Sequence, residues 1–120
     1  MIVKIINSRT GTDIALKAKL ADNFWIRAMG LQFKRSFEKG DAMVFPKCNG
    51  VHTLFSRFNL DIIFLDKNRV VTNVIENLPK WRFSPFILKP LTVIELPAGT
   101  IKETGTMIGD ELVFEKSECP

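Results

Sequence analysis

The order of apolar and polar side chains along the chain predicts a succession of short strands. Residues 2–6 are apolar apart from Lys4, are rich in β-branched side chains, and lead into a turn cluster at residues 7–11. Residues 13–20 then alternate between polar and apolar side chains, apart from Ala15, with the period of two that is typical of a half-buried strand. Residues 2–20 are therefore expected to form an opening β-hairpin.

One main helix is predicted after this hairpin, between about residues 22 and 30. Asp22 or Asn23 can cap its first turn, and Gly30 can supply the left-handed residue that ends it. A helix of barely two turns is too short to be stable without packing on a sheet.

From residue 42 onward, short apolar runs follow one another closely. Strands are predicted at residues 42–45, 51–55, 62–65, 70–75, 92–96 and 112–114, with a single helical turn at 101–104. Three prolines in residues 79–90 make that stretch an edge crossing or a surface loop, since proline cannot donate to a central ladder. The pattern as a whole predicts a mostly-β fold class, a compact β-sandwich or barrel with one short helix, in a single domain over residues 1–120.

Composition supports one packed core and adds a charge asymmetry. Hydrophobic residues make up 46% of the chain, and ten of them are Phe. The net charge is +4, but residues 1–60 carry ten basic and four acidic side chains, whereas residues 61–120 carry seven and nine. A basic first half is compatible with a small anionic ligand, nucleic acid or a membrane surface, although such a bias is more often only a solubilising surface.

The two cysteines indicate a reducing compartment. Cys48 and Cys119 form no CxxC motif and cannot build a metal site alone, so both are expected to be free thiols. Cys48 and His52 could form a thiolate–imidazole couple, but a spacing of four in a loop-to-strand stretch does not aim them at each other. Neither an export signal nor an apolar run long enough to span a membrane is visible, so a cytoplasmic location is expected.

The standard catalytic and cofactor motifs are absent from the sequence. It contains no P-loop, no dinucleotide-binding glycine motif and no nucleophile elbow, and its single histidine rules out any multi-histidine metal centre. No cofactor and no metal are therefore expected. A carboxylate metal site would need Asp61, Asp66 and Glu95 to converge, which their spacing cannot show.

One polar cluster interrupts the core-forming strands, and its members are His52, Thr53, Arg57 and Asp61. A bend before Asp61 could return its carboxylate to the Arg57 guanidinium for a bidentate pair. That pair could simply hold the bend, with Thr53 as a further hydrogen-bond partner for the buried acid. Alternatively, the four residues could line a working site for a ligand.

The same segment carries a resemblance to a known family. The anchors are Arg27, Gly30-Leu31, Ala42-Met43-Val44-Phe45, His52-Thr53, Arg57, Asp61, Phe64-Leu65-Asp66, Glu95-Leu96-Pro97-Ala98-Gly99 and Gly109-Asp110. In this order they resemble the bacterial and archaeal family known as domain of unknown function 192, over roughly residues 12–114. The sequence departs from the family pattern at Gln32, Ser56 and Asn59. The resemblance implies a compact β-sandwich or barrel with little helix, and no established activity, substrate or cofactor.

Three functions remain in competition. The leading hypothesis is a non-enzymatic binding or accessory domain, because a polar cluster is present without a complete catalytic constellation. The second is a small enzyme in which His52 acts as acid or base, Asp61 orients it and Arg57 holds an anionic substrate. The third is a nucleic-acid binder that uses the basic first half.

Overall fold

The computed structural model describes residues 2–20, 37–46, 59–79 and 92–116. Seven strands and one short helix follow one another there: β1 (Ile2–Asn7), β2 (Thr12–Leu20), β3 (Asp41–Pro46), β4 (Leu60–Leu65), β5 (Val71–Leu78), β6 (Thr92–Pro97), α1 (Thr100–Thr104) and β7 (Leu112–Lys116). The predicted mostly-β class is confirmed, as is the helical turn near residues 101–104. The helix predicted between residues 22 and 30 and the strand predicted at 51–55 lie outside the described residues.

The strands predicted within the described residues are confirmed in position, and most of them extend beyond the apolar runs that predicted them. β1 and β2 form the antiparallel opening hairpin, with Asn7 opposite Thr12 at its closed end. β4 begins at Leu60, so that Asp61 lies within the strand and not before it. β5 continues to Leu78, three residues beyond the apolar run that predicted it.

The seven strands belong to one sheet in the order β5-β4-β6-β3-β2-β1-β7. Neighbours pair antiparallel except β2 and β3, which are parallel. The sheet curls until its two ends meet at a single bridge between Val70 and Glu111. Gly109 N–H donates to the Val71 carbonyl at 2.8 Å, and Leu112 N–H donates to the Arg69 carbonyl at 2.9 Å. The result is a half-barrel that is closed at one end.

Two apolar clusters lie on the two faces of this sheet. The inner core contains Val3, Ile5, Ile14, Ala15, Ala18, Ala42, Val44, Ile63, Leu65, Val71, Ile94, Leu96, Ile101 and Leu112. The outer core contains Phe37, Met43, Phe45, Leu60, Ile62, Phe64, Leu78 and Val93. Side chains of β1 and β4 share the inner core although three strands separate them in the sheet, which requires the sheet to curl around it. The central strands β3, β4 and β6 are buried on both faces.

Candidate functional site

Only one of the four polar residues singled out in the sequence lies among the described residues. His52, Thr53 and Arg57 lie outside them, and Asp61 is fully buried in β4. Asp61 shares a face with Ile63 and Leu65 of the inner core, as the strand period predicts.

The Asp61 carboxylate accepts three backbone hydrogen bonds. Its Oδ1 accepts from the N–H of Asn77 at 2.8 Å. Its Oδ2 accepts from the N–H groups of Gly99 at 3.0 Å and Ile101 at 2.8 Å. The sequence pointed to Thr53 and Arg57 as the partners of this acid. The donors found in the described residues belong instead to β5 and to the start of α1.

Local backbone conformation aims these donors. Asn77 has a φ of 55° and lies in a β-bulge, where Ile62 and Leu60 of β4 pair with Ile75 and Leu78 so that two residues of β5 face Asp61. Gly99 precedes α1 with a φ of 96°, a left-handed conformation that costs glycine little. Asp61 therefore fixes the bulge and holds the first turn of a five-residue helix.

A second buried carboxyl group lies on the opposite face of the sheet. Glu95 is in the middle of β6, between Ile94 and Leu96 of the inner core, so its own side chain is on the outer face. It is 6% exposed, and its cross-strand neighbours are Met43 and Ile62. No side chain of the described residues donates a hydrogen bond to it. Burial raises the pKa of the Glu95 carboxyl to about 8, so the group is mostly protonated at neutral pH.

Glu95 belongs to one cross-strand row of the outer face. The row follows the strand register from β2 to β5 and consists of Lys19, Met43, Glu95, Ile62 and Ile75. Lys19, at one end, is exposed to solvent. In the sequence, Glu95 stood out only as a possible metal ligand and as a family anchor. The available signal was a charged residue in the centre of the apolar run of residues 92–96.

The three carboxylates considered for a metal site do not converge. Asp61 and Glu95 lie on opposite faces of the sheet, since Asp61 pairs with Leu96 and Ile62 pairs with Glu95. The Asp66 carboxylate accepts hydrogen bonds from the N–H groups of Asn68 and Val70 in the hairpin turn after β4. Among residues 2–20, 37–46, 59–79 and 92–116, no three acidic, histidine or cysteine side chains are grouped as a metal site would require.

A third buried acid, Asp110, joins the hairpin to the chain after α1. Arg9 donates to Asp110 through Nε at 2.6 Å and through an Nη at 3.1 Å. Asn7 Nδ2 and the N–H of Met107 each donate to it at 2.8 Å. Hydrogen bonding to Arg9 lowers the pKa of Asp110 to about 2, so this carboxylate remains ionised and holds the turn before β7.

No helix in the described part of the chain is long and apolar enough to cross a membrane.

Comparison with known proteins places the chain in a recognised family. Residues 5–114 match the family DUF192, described as an uncharacterized ACR. A UPF0127 protein of Pyrococcus furiosus is 31% identical over 116 residues, which is 93% of this chain and 98% of the relative. A UPF0127 protein of Thermococcus sibiricus is 30% identical over 118 residues, covering 95% of this chain and 76% of the relative.

Two solved structures share the fold. A protein of unknown function from Novosphingobium aromaticivorans superimposes with a TM-score of 0.79 at 23% identity, covering 94% of this chain and 84% of the other. A proposed transcription regulator from Sinorhizobium meliloti superimposes with a TM-score of 0.77 at 25% identity, covering 93% and 91%. The matched residues, the relatives and the fold agree: the chain belongs to the DUF192 family of proteins of unknown function.

Proposed function

We propose that this protein is a non-enzymatic domain that binds a small ligand, and that Glu95 is the residue around which the binding site is built. The observation that carries the proposal is a carboxyl group buried at the centre of an apolar sheet face, between Met43 and Ile62. Burying an acid in this way costs free energy, and perturbed buried acids are concentrated at functional sites. A role in ligand binding would explain why an acid occupies this buried position.

The chemistry of a protonated carboxyl group suits recognition. A neutral Glu95 offers one O–H donor and an acceptor oxygen inside an apolar surface, which fixes the orientation of a ligand that is otherwise held by apolar contact. We include His52, Thr53 and Arg57 in the proposal as further candidates from the sequence. They lie outside the described residues, so the proposal depends on Glu95 alone.

The contacts of Asp61 favour binding over catalysis by the cluster of His52, Arg57 and Asp61. Three backbone N–H groups at 2.8–3.0 Å occupy both of its carboxylate oxygens. A carboxylate used in this way has little remaining capacity to orient a histidine. We therefore assign Asp61 a structural role within the proposal.

A thermal-shift screen against metabolites tests this function. A ligand that binds only the folded protein raises its melting temperature. At least one compound should raise the melting temperature of the parent but not that of Glu95→Leu, in which an apolar side chain of similar size replaces the carboxyl group. Glu76→Gln, an exposed position in β5, is the matched control and should respond like the parent. A screen in which every stabilising compound acts equally on the parent and Glu95→Leu would remove the basis of the proposal.

Nucleic-acid binding is the second candidate, because the Sinorhizobium meliloti structure is described as a proposed transcription regulator. The described residues contain nine Lys and Arg against eleven Asp and Glu, so the basic excess lies in the rest of the sequence. Fluorescence anisotropy with a labelled DNA duplex tests this candidate. A binding constant whose logarithm falls linearly with the logarithm of salt concentration would support DNA binding. No change in anisotropy at low salt would reject this candidate.

The proposal also includes a cytoplasmic location, which follows from the expectation of free thiols at Cys48 and Cys119. Fractionation of cells that express the tagged protein tests it, and recovery in the secreted or periplasmic fraction would contradict it.

A further inference from the structure

We draw no further inference here: the strongest candidate, the turn between α1 and β7 that leaves Met107 and Ile108 exposed to solvent while hydrogen bonds to Asp110 and Val71 fix its backbone, carries no proposal because nothing in the described part of the chain shows what would cover these two apolar side chains.

Discussion

At the scale of single residues, the two buried acids Asp61 and Glu95 are accommodated in the apolar interior in different ways. Their strand positions are adjacent, since Asp61 is opposite Leu96 and Ile62 is opposite Glu95, yet the two side chains lie on opposite faces. Asp61 receives three backbone N–H groups, which together replace much of the hydration that a carboxylate loses on burial. Glu95 receives no hydrogen bond from a described side chain, and burial keeps it protonated at neutral pH. Asp61 thus stabilises the fold, whereas Glu95 lowers its stability when it ionises.

Replacing Asp61 should destabilise the protein. Asp61→Ala leaves the N–H groups of Asn77, Gly99 and Ile101 without their acceptor, and buried unsatisfied groups cost about 1–3 kcal/mol. A loss of about 2 kcal/mol lowers the melting temperature of a domain of this size by several degrees to more than ten. The exposed Asp13→Ala is the control and should melt within about 2 degrees of the parent, since surface substitutions change stability by at most about 0.5 kcal/mol.

In the same melting experiment, His52→Ala should cost less free energy of unfolding than Asp61→Ala. The sequence predicts a half-buried histidine at this position, and such an imidazole would give up fewer buried contacts. If Asp61→Ala melts like the parent but loses a ligand found in the screen, Asp61 is part of a working site and its structural role is wrong.

Both cysteines should be free thiols in the native protein. Cys48 and Cys119 should each react with a thiol reagent under non-reducing conditions, giving two adducts by intact mass. The two-hydrogen mass loss of an internal disulfide would contradict this expectation, and with it the proposed cytoplasmic location.

At the scale of elements, β5 and α1 depend on each other through Asp61. The bulge at Asn77 turns one N–H toward the carboxylate, and Gly99 turns another from the start of α1. A five-residue helix has little stability of its own. It is held here by this carboxylate and by the burial of Ile101 in the inner core.

The bulge should tolerate glycine and reject a β-branched residue. Asn77 adopts a φ of 55°, which asparagine and glycine accept readily. Asn77→Gly should change the free energy of unfolding by less than about 0.5 kcal/mol, while Asn77→Val should lower it by about 1–2 kcal/mol. Urea denaturation of both variants measures the difference. Equal stability of the two would show that the left-handed conformation is not required.

Local patterns predicted the strands better than their arrangement. The hairpin of β1 and β2 follows from alternation and a turn cluster that are contiguous in sequence. The parallel pairing of β2 with β3 and the position of β6 between β3 and β4 involve distant residues, which no local pattern encodes. Likewise, the sequence identified Asp61 as a buried acid that needs partners. Its donors Asn77, Gly99 and Ile101 could not be predicted, because they meet it only when the sheet has formed.

At the scale of the whole molecule, the curl of the sheet depends on a few contacts where its ends meet. The Val70–Glu111 bridge joins the two ends, and Asp110 fixes the turn beside it through Arg9 and Asn7. The lowered pKa of Asp110 means that this contribution is fully present above the carboxyl's ordinary pKa near 4 and is lost as the pH falls through about 2.

Removing Asp110 should open the closed end of the half-barrel. Hydrogen exchange at neutral pH reports on this, because the amides of Gly109, Val71 and Leu112 are donors at the closure. In Asp110→Asn these amides should exchange at least tenfold faster, while those of β4 in the sheet centre should change less. Uniform acceleration in both regions would indicate general destabilisation and contradict a local role.

Glu95 is protonated within the folded protein at neutral pH, and the pH dependence of stability is the best test of this protonation state. The pKa of its carboxyl is raised from 4.5 to about 8 in the folded state, so ionisation favours the unfolded chain. The contribution of Glu95 to stability is fully present below pH about 4.5 and is lost as the pH rises to about 8, by up to about 5 kcal/mol. Urea denaturation of the parent and Glu95→Gln from pH 4.5 to 9 isolates this contribution, because every other titrating group is common to both. The free energy of unfolding of the parent should fall progressively relative to that of Glu95→Gln over this range. A difference that stays constant, or that shifts in favour of the parent as the pH rises, would show that the carboxyl group does not have a raised pKa in the folded protein.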